Sequence, residues 1–93
     1  MEITVVDAQD PVKQVSSVLG ITGVEILVDD ACIELEIDGM ADIKNHRIYL
    51  SPEQPDLMET VRHELCHLAT KRHGHGKKWK ELMKKCGSAH FRR

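Results

Sequence analysis

The chain has 93 residues, of which 41% are hydrophobic and 30% are charged, and its formal net charge is −2. This balance is typical of a folded globular domain and excludes a disordered or collagen-like chain. No apolar run approaches the ~20 residues of a transmembrane helix, so we predict a single domain over residues 1–93 that does not enter a membrane.

The cysteines and the N-terminal sequence indicate a reducing compartment. Cys32, Cys66 and Cys86 are odd in number and share no CxxC spacing, which argues against a disulfide framework and against a cysteine zinc site. The N-terminal segment is acidic and carries neither the basic flank nor the cleavage site of a signal peptide. We therefore expect a cytoplasmic protein with free thiols.

Two elements are predicted at the start of the chain. Met1–Val6 has the composition of a short strand. A helix then begins at Asp10 and Pro11, where proline suits the first turn, and runs to Leu19. Gly20 is suited to end it.

A sheet is predicted in the middle of the chain, where the apolar period changes to two. In the first segment Val24, Ile26 and Val28 recur at every second position, and in Ile33–Ile37 apolar residues alternate with acidic ones, which predicts a strand pair with one solvated face. Met40–Lys44 and Arg47–Leu50 are further strand segments around a turn at Asn45.

Two helices are predicted at the end of the chain, which completes an α+β domain with a three- to four-stranded sheet. The first begins with Pro55 in its first turn and runs to about Arg72, and the second spans about Lys77 to Lys85. The first helix carries an apolar stripe at helical spacing. Its members are Met58, Val61, Leu65 and Leu68.

The first of these helices contains an HExxH motif, His63-Glu64-Leu65-Cys66-His67. Histidines four apart lie on one helical face, about 5–6 Å apart at Cβ, so both imidazoles can reach one ion at ~2.0–2.1 Å. A glutamate at the second position addresses the metal's water, whose pKa zinc lowers towards ~7. The motif predicts one Zn²⁺ per chain, held by His63 and His67, with Glu64 as general base of a hydrolase.

A catalytic zinc needs a third protein ligand, and two histidines compete for that role. His73 follows His63 at the distance of the HExxHxxGxxH pattern, but a threonine occupies the glycine position of that pattern. His75 opens the last helix, where Trp79, one turn on, can pack into the core and hold it. We favour His75, keep His73 as the alternative and regard Glu81 as a more distant candidate.

Supporting roles are assigned to residues around the motif. Glu59, one turn before His63, is a candidate partner for an imidazole N–H. Tyr49, Arg72 and His73 are candidate donors to a developing oxyanion. The segment Met40–Lys44 is either a strand that pairs with an extended substrate or an ordinary edge strand, in which Asp42 and Lys44 disfavour pairing with another chain.

Charge is distributed unevenly along the chain. Residues 1–59 hold thirteen acids against three bases, whereas residues 71–93 hold nine bases against one acid. Such a split indicates either a surface that faces nucleic acid or a well-solvated helix and tail. The candidate nucleic-acid contacts are Lys77, Lys78, Lys84, Lys85, Arg92 and Arg93.

The HExxH motif, together with His75-Gly76-Lys77-Lys78-Trp79, resembles the SprT-like (Spartan-like) zinc metallopeptidases. The stretch from Gly39 to Pro52 looks like the strands that precede the active-site helix in that family, so the likeness covers roughly residues 39–87. It implies a minimal zincin-like core with His63, His67 and His75 as ligands and Glu64 as base. Eukaryotic members cleave proteins crosslinked to DNA, which implies DNA-associated proteins as candidate substrates.

Two functions are therefore expected to compete. The first is a zinc-dependent metallopeptidase that acts on proteins or peptides, with DNA as a candidate partner. The alternative is a non-catalytic zinc-containing module that docks on nucleic acid or an acidic partner through its basic C-terminal helix. An intact Glu64 favours the enzyme, because a structural site needs no base. The sequence indicates no oligomeric state.

Overall fold

A three-stranded sheet with helices packed on it forms the framework of the protein. The computed structural model describes residues 2–89. The strand order is β1-β3-β2, with β1 parallel and β2 antiparallel to β3, which confirms the α+β class. In chain order the elements are α1 (Val5–Leu19), β1 (Glu25–Val28), α2 (Ala31–Glu34), β2 (Gly39–Asp42), β3 (Arg47–Leu50), α3 (Leu57–Thr70) and α4 (Lys77–Lys85).

Helix α1 begins earlier than predicted because a capping box starts it. The Thr4 hydroxyl accepts a hydrogen bond from the Asp7 amide at 3.5 Å, and the Asp7 carboxylate accepts one from the Thr4 amide at 2.8 Å. The predicted strand Met1–Val6 is therefore wrong over its described residues, while Met1 lies outside them. Pro11 lies inside the helix instead of in its first turn.

The predicted strand Ile33–Ile37 is also wrong. The Asp29 side chain accepts a hydrogen bond from the Ala31 amide at 2.9 Å, and this local bond starts the short helix α2. Leu35 is 64% exposed, so the apolar alternation does not mark a buried face. Strand β1 instead pairs with β3, in the register that places Ile26 beside Ile48.

The main core lies between the sheet and helices α1 and α3. Strand β3 points Ile48 and Leu50 into it, and both are fully buried. Its other buried members come from the two helices and β2: Ala8, Val12, Val15, Ala41, Val61, Leu65 and Leu68. A second cluster of Cys66, Trp79 and Met83 joins α3 to α4. Helix α3 is therefore packed on several sides.

The two C-terminal helices closely match the prediction. Asp56 caps α3 by accepting a hydrogen bond from the Glu59 amide at 3.1 Å, so Pro55 precedes the helix instead of entering its first turn. Helix α3 ends at Thr70, and α4 has the predicted bounds. Within residues 2–89 no helix is both long and apolar enough to cross a membrane.

Candidate metal centre

Helix α3 and the turn after it bring three imidazole rings together. Lys71 takes the left-handed conformation, with φ of 58°, and ends the helix. The chain then reverses, so His75 returns to the face of α3 that carries His63 and His67. The Nε2 atom of His75 lies 3.2 Å from the Nε2 atoms of both other histidines.

This arrangement fits a single metal ion. Two nitrogens bound to one tetrahedral zinc at ~2.0–2.1 Å lie about 3.3 Å apart, close to both measured separations. Hydrogen bonding cannot account for both contacts, since a neutral His75 carries at most one proton on Nε2. Three converging ring nitrogens are a donor set typical of zinc. The cluster could therefore hold a metal ion.

The orientation of His67 leaves its Nε2 lone pair available. Its Nδ1 lies 2.8 Å from the Arg72 carbonyl, which can only accept, so Nδ1 carries the proton. Burial lowers the pKa of His67 against the opposing effect of this hydrogen bond, and His75 and His73 lower it further. His67 is thus held neutral, in the tautomer that metal coordination through Nε2 requires.

Trp79 supports the three rings from helix α4. Its indole N–H donates to the His63 carbonyl at 3.3 Å. The Trp79 ring centroid lies 4.9 Å from that of His63, 5.6 Å from that of His67 and 4.4 Å from that of His75. Since Trp79 is only 2% exposed, it also anchors α4 in the protein. The predicted packing of Trp79 behind His75 is therefore confirmed.

Glu64 lies beside the cluster in a buried position. It is 7% exposed and lines a cleft of about 470 Å³ together with His63 and Gly39. Burial, and secondly the negative charge of Asp38, raise its pKa to about 7. A carboxyl group at the floor of a cleft, next in sequence to an imidazole of the cluster, is placed to exchange a proton with a molecule bound there.

The other predicted residues have different positions. His73 lies near the cluster, 6.2 Å from His67 between ring centroids, but its nitrogens do not join the three that converge. Arg72 contributes its carbonyl to His67. Tyr49 lies on β3, opposite Leu27 of β1 and Met40 of β2, and it is not among the described residues that line the cleft.

Glu59 lines the cleft and ties α3 to the end of the described chain. Its carboxylate accepts a hydrogen bond from the Ser88 hydroxyl at 2.5 Å and lies 3.4 Å from Arg62 Nη1.

Cys66 packs as a small hydrophobe against Trp79 instead of joining the cluster, and burial raises the pKa of its thiol. Glu81 is exposed on α4 and does not join the cluster either.

The candidate nucleic-acid residues divide into two groups. Lys77, Lys78, Lys84 and Lys85 are exposed on α4. Arg92 and Arg93 lie outside the described residues. The lysines therefore offer a basic surface on α4, whereas the rest of the predicted surface stays a prediction.

Sequence reasoning missed two functional contributions. The Arg72 carbonyl is a backbone group, so no side-chain pattern could indicate it. Asp38 and Gly39 follow the segment Ile33–Ile37, and its prediction as a strand gave no reason to expect that both residues line the cleft. A glycine beside an acidic residue, just before the motif helix, was the available signal.

The fold is shared with a solved metallopeptidase structure. The structure is similar to the crystal structure of abylysin, a metallopeptidase zymogen of Pyrococcus abyssi, with a TM-score of 0.71 and 18% identity over 84% of this chain and 77% of that one. The fold is thus that of a small metallopeptidase.

The model of the SprT-like family matches residues 12–93, so the chain belongs to the SprT-like family. This confirms the family resemblance predicted from the motifs. A search of curated proteins found no match.

The close packing around Gly39, which lines the cleft, can be tested by substitution. A Cβ atom there would lie 2.9 Å from the Tyr49 carbonyl oxygen on β3 and 3.2 Å from Glu64 Cγ on α3, so Gly39→Ala must displace the start of β2 from both elements. We expect a loss of about 1–3 kcal/mol in the free energy of unfolding, measured with urea. Gly74→Ala is the matched control, because nothing lies within 4 Å of its added Cβ. Equal stability of the two variants would contradict the close approach.

Proposed function

We propose that this protein is a zinc metallopeptidase that hydrolyses peptide bonds. The observation that supports the proposal most directly is the convergence of three Nε2 atoms beside a cleft whose floor is a buried glutamate. In this proposal His63, His67 and His75 hold one zinc ion, and Glu64 is the catalytic base. Membership of the SprT-like family supports the same function.

The proposed mechanism divides the work between the histidines and Glu64. When bound, zinc would act as a Lewis acid and lower the pKa of a coordinated water to ~7. Glu64 accepts a proton from the attacking water and passes it to the leaving amine. The Arg72 carbonyl keeps His67 in the required tautomer, and Trp79 holds the rings against rotation.

The substrate backbone has a candidate partner in strand β2. In the order β1-β3-β2 this strand is bonded to β3 on one side, and within residues 2–89 no strand pairs with its other edge. Its first residue, Gly39, lines the cleft beside Glu64. We propose that an extended peptide pairs with this edge and brings its scissile carbonyl to the metal.

Zinc content tests the ligand set. The wild-type protein should bind one zinc per chain, and His75→Ala should weaken binding by at least ~100-fold, since loss of an outer partner of a metal ligand alone costs ~10–100-fold. His73→Ala is the control and should retain the metal. Elemental analysis after dialysis against graded chelator measures both. Loss of zinc from His73→Ala, with retention in His75→Ala, would show that His73 and not His75 is the third ligand.

Hydrolysis of casein tests the catalytic role. Glu64→Gln keeps the shape of the side chain but cannot accept the proton, so its rate should fall by at least ~10²-fold. Zinc content should stay at one per chain, which separates loss of catalysis from loss of the site. Equal rates for Glu64→Gln and wild type would show that Glu64 is not the base. An inactive wild type with bound zinc would favour the non-catalytic binding module.

The lysines on α4 support a second part of the proposal, that the protein acts on proteins associated with DNA. Lys77, Lys78, Lys84 and Lys85 are exposed, and within residues 2–89 no carboxylate forms an ion pair with them. A helix face with several unpaired lysines can bind phosphates without reading base sequence.

Salt dependence tests this contact with DNA. The affinity for a short duplex should fall as salt rises, because binding releases condensed counterions. Lys84→Gln combined with Lys85→Gln should reduce the slope of log K against log salt by about 1 for each lysine that contacts a phosphate. Lys13→Gln, on the exposed part of α1, is the control. A salt-independent affinity would exclude the proposed contact.

A further inference from the structure

The cleft beside the metal centre has a strongly negative lining. Five of the ten described residues that form it are acidic, and none is lysine or arginine. The acidic residues are Glu36, Asp38, Asp56, Glu59 and Glu64. Within residues 71–89, by contrast, the basic side chains lie on α4 and in the turn before it, so acidic and basic side chains occupy different elements around the centre.

Two of these carboxylates have no protein counter-charge. Within residues 2–89, neither Glu36 nor Asp38 forms an ion pair or a side-chain hydrogen bond. By contrast, Asp56 caps α3 and Glu59 is bonded to Ser88 and Arg62. The negative potential of Glu36 and Asp38 therefore remains available to a bound molecule.

Glu64 lies in the same cleft and is the buried end of its acidic lining. It is 7% exposed, and among the described residues no hydrogen bond or ion pair reaches its carboxylate. Burial of a polar group without a partner costs free energy, and a ligand in the cleft would supply the missing partner. The acidic lining thus extends from the exposed Glu36 and Asp38 to the buried Glu64.

The shape of the cleft favours a long cationic side chain. Ile37 and Pro55 provide apolar walls, and the methyl group of Thr60 faces the same region near Gly39. Lysine and arginine have apolar stems that pack on such walls while the charged end reaches a carboxylate. A small inorganic cation would gain nothing from the apolar part.

We propose that this cleft is a specificity subsite that binds a lysine or arginine side chain of the peptide substrate, with Glu36 and Asp38 as the residues that select the positive charge. The inference rests on the proposed function in one respect, that the molecule in the cleft is a peptide. Because the cleft lies beside His63 and Glu64, the lysine or arginine bound in it would lie within a few residues of the scissile bond of the peptide.

Peptide binding to the zinc-loaded Glu64→Gln variant tests the subsite without turnover. Two blocked hexapeptides are compared, one with two central lysines and one with two central norleucines, by NMR titration of labelled protein. The lysine peptide should bind about three- to tenfold more tightly, since two exposed or partly exposed ion pairs contribute at this level. Its shift changes should centre on the amides of Gly39 and Thr60.

Charge-matched variants identify the residues responsible. Glu36→Gln combined with Asp38→Asn, added to Glu64→Gln, should abolish the preference for lysine. The control removes the same number of charges outside the cleft, with Asp10→Asn and Glu34→Gln, both on exposed positions. It should keep the preference.

Three results would overturn the subsite. These are equal affinity for the two peptides, a preference that survives removal of Glu36 and Asp38, and shift changes confined to α4. Failure of casein hydrolysis is a separate outcome, because it removes the peptidase activity and leaves a measured lysine preference standing as a binding function. Conversely, casein cleavage without lysine or arginine near the cut sites removes the subsite alone.

Discussion

Helix α3 packs on most of its sides and still presents polar side chains at a common point, and the rest of the structure depends on this constraint. It contacts α1, the sheet and α4, so its exposed surface is small and two of its polar side chains, Glu64 and His67, are nearly buried. Burial of such groups is costly unless they are bonded. His67 is compensated by the Arg72 carbonyl, whereas Glu64 opens into a cleft.

That difference separates a polar group with a protein partner from one that faces a cleft. The hydrogen bond to His67 fixes a ring, a tautomer and the path of the turn that carries His75 back to α3. The Glu64 carboxyl has no such partner, so its environment depends on what enters the cleft. Close packing around it requires Gly39, because the backbone of β3 leaves no room for a Cβ atom there. Stability and site geometry thus share the same contacts.

Helix α4 connects the metal centre to the charge pattern of the surface. Its buried residues, Trp79 and Met83, join α3 through Cys66, and its remaining positions are mostly lysines. The acidic side chains of the cleft lie within residues 36–64, whereas these lysines follow the three histidines in the sequence.

The sequence by itself determined the features that depend on local spacing. The HExxH pair lies on one face of α3 because helical residues four apart are neighbours, and the bounds of α4 follow from its own apolar stripe. Only the tertiary structure decided the rest. The parallel pairing of β1 with β3, the helix in place of the strand at Ile33–Ile37, and the convergence of His75 depend on contacts between distant segments or on single capping bonds. Apolar periodicity carries no information about such contacts.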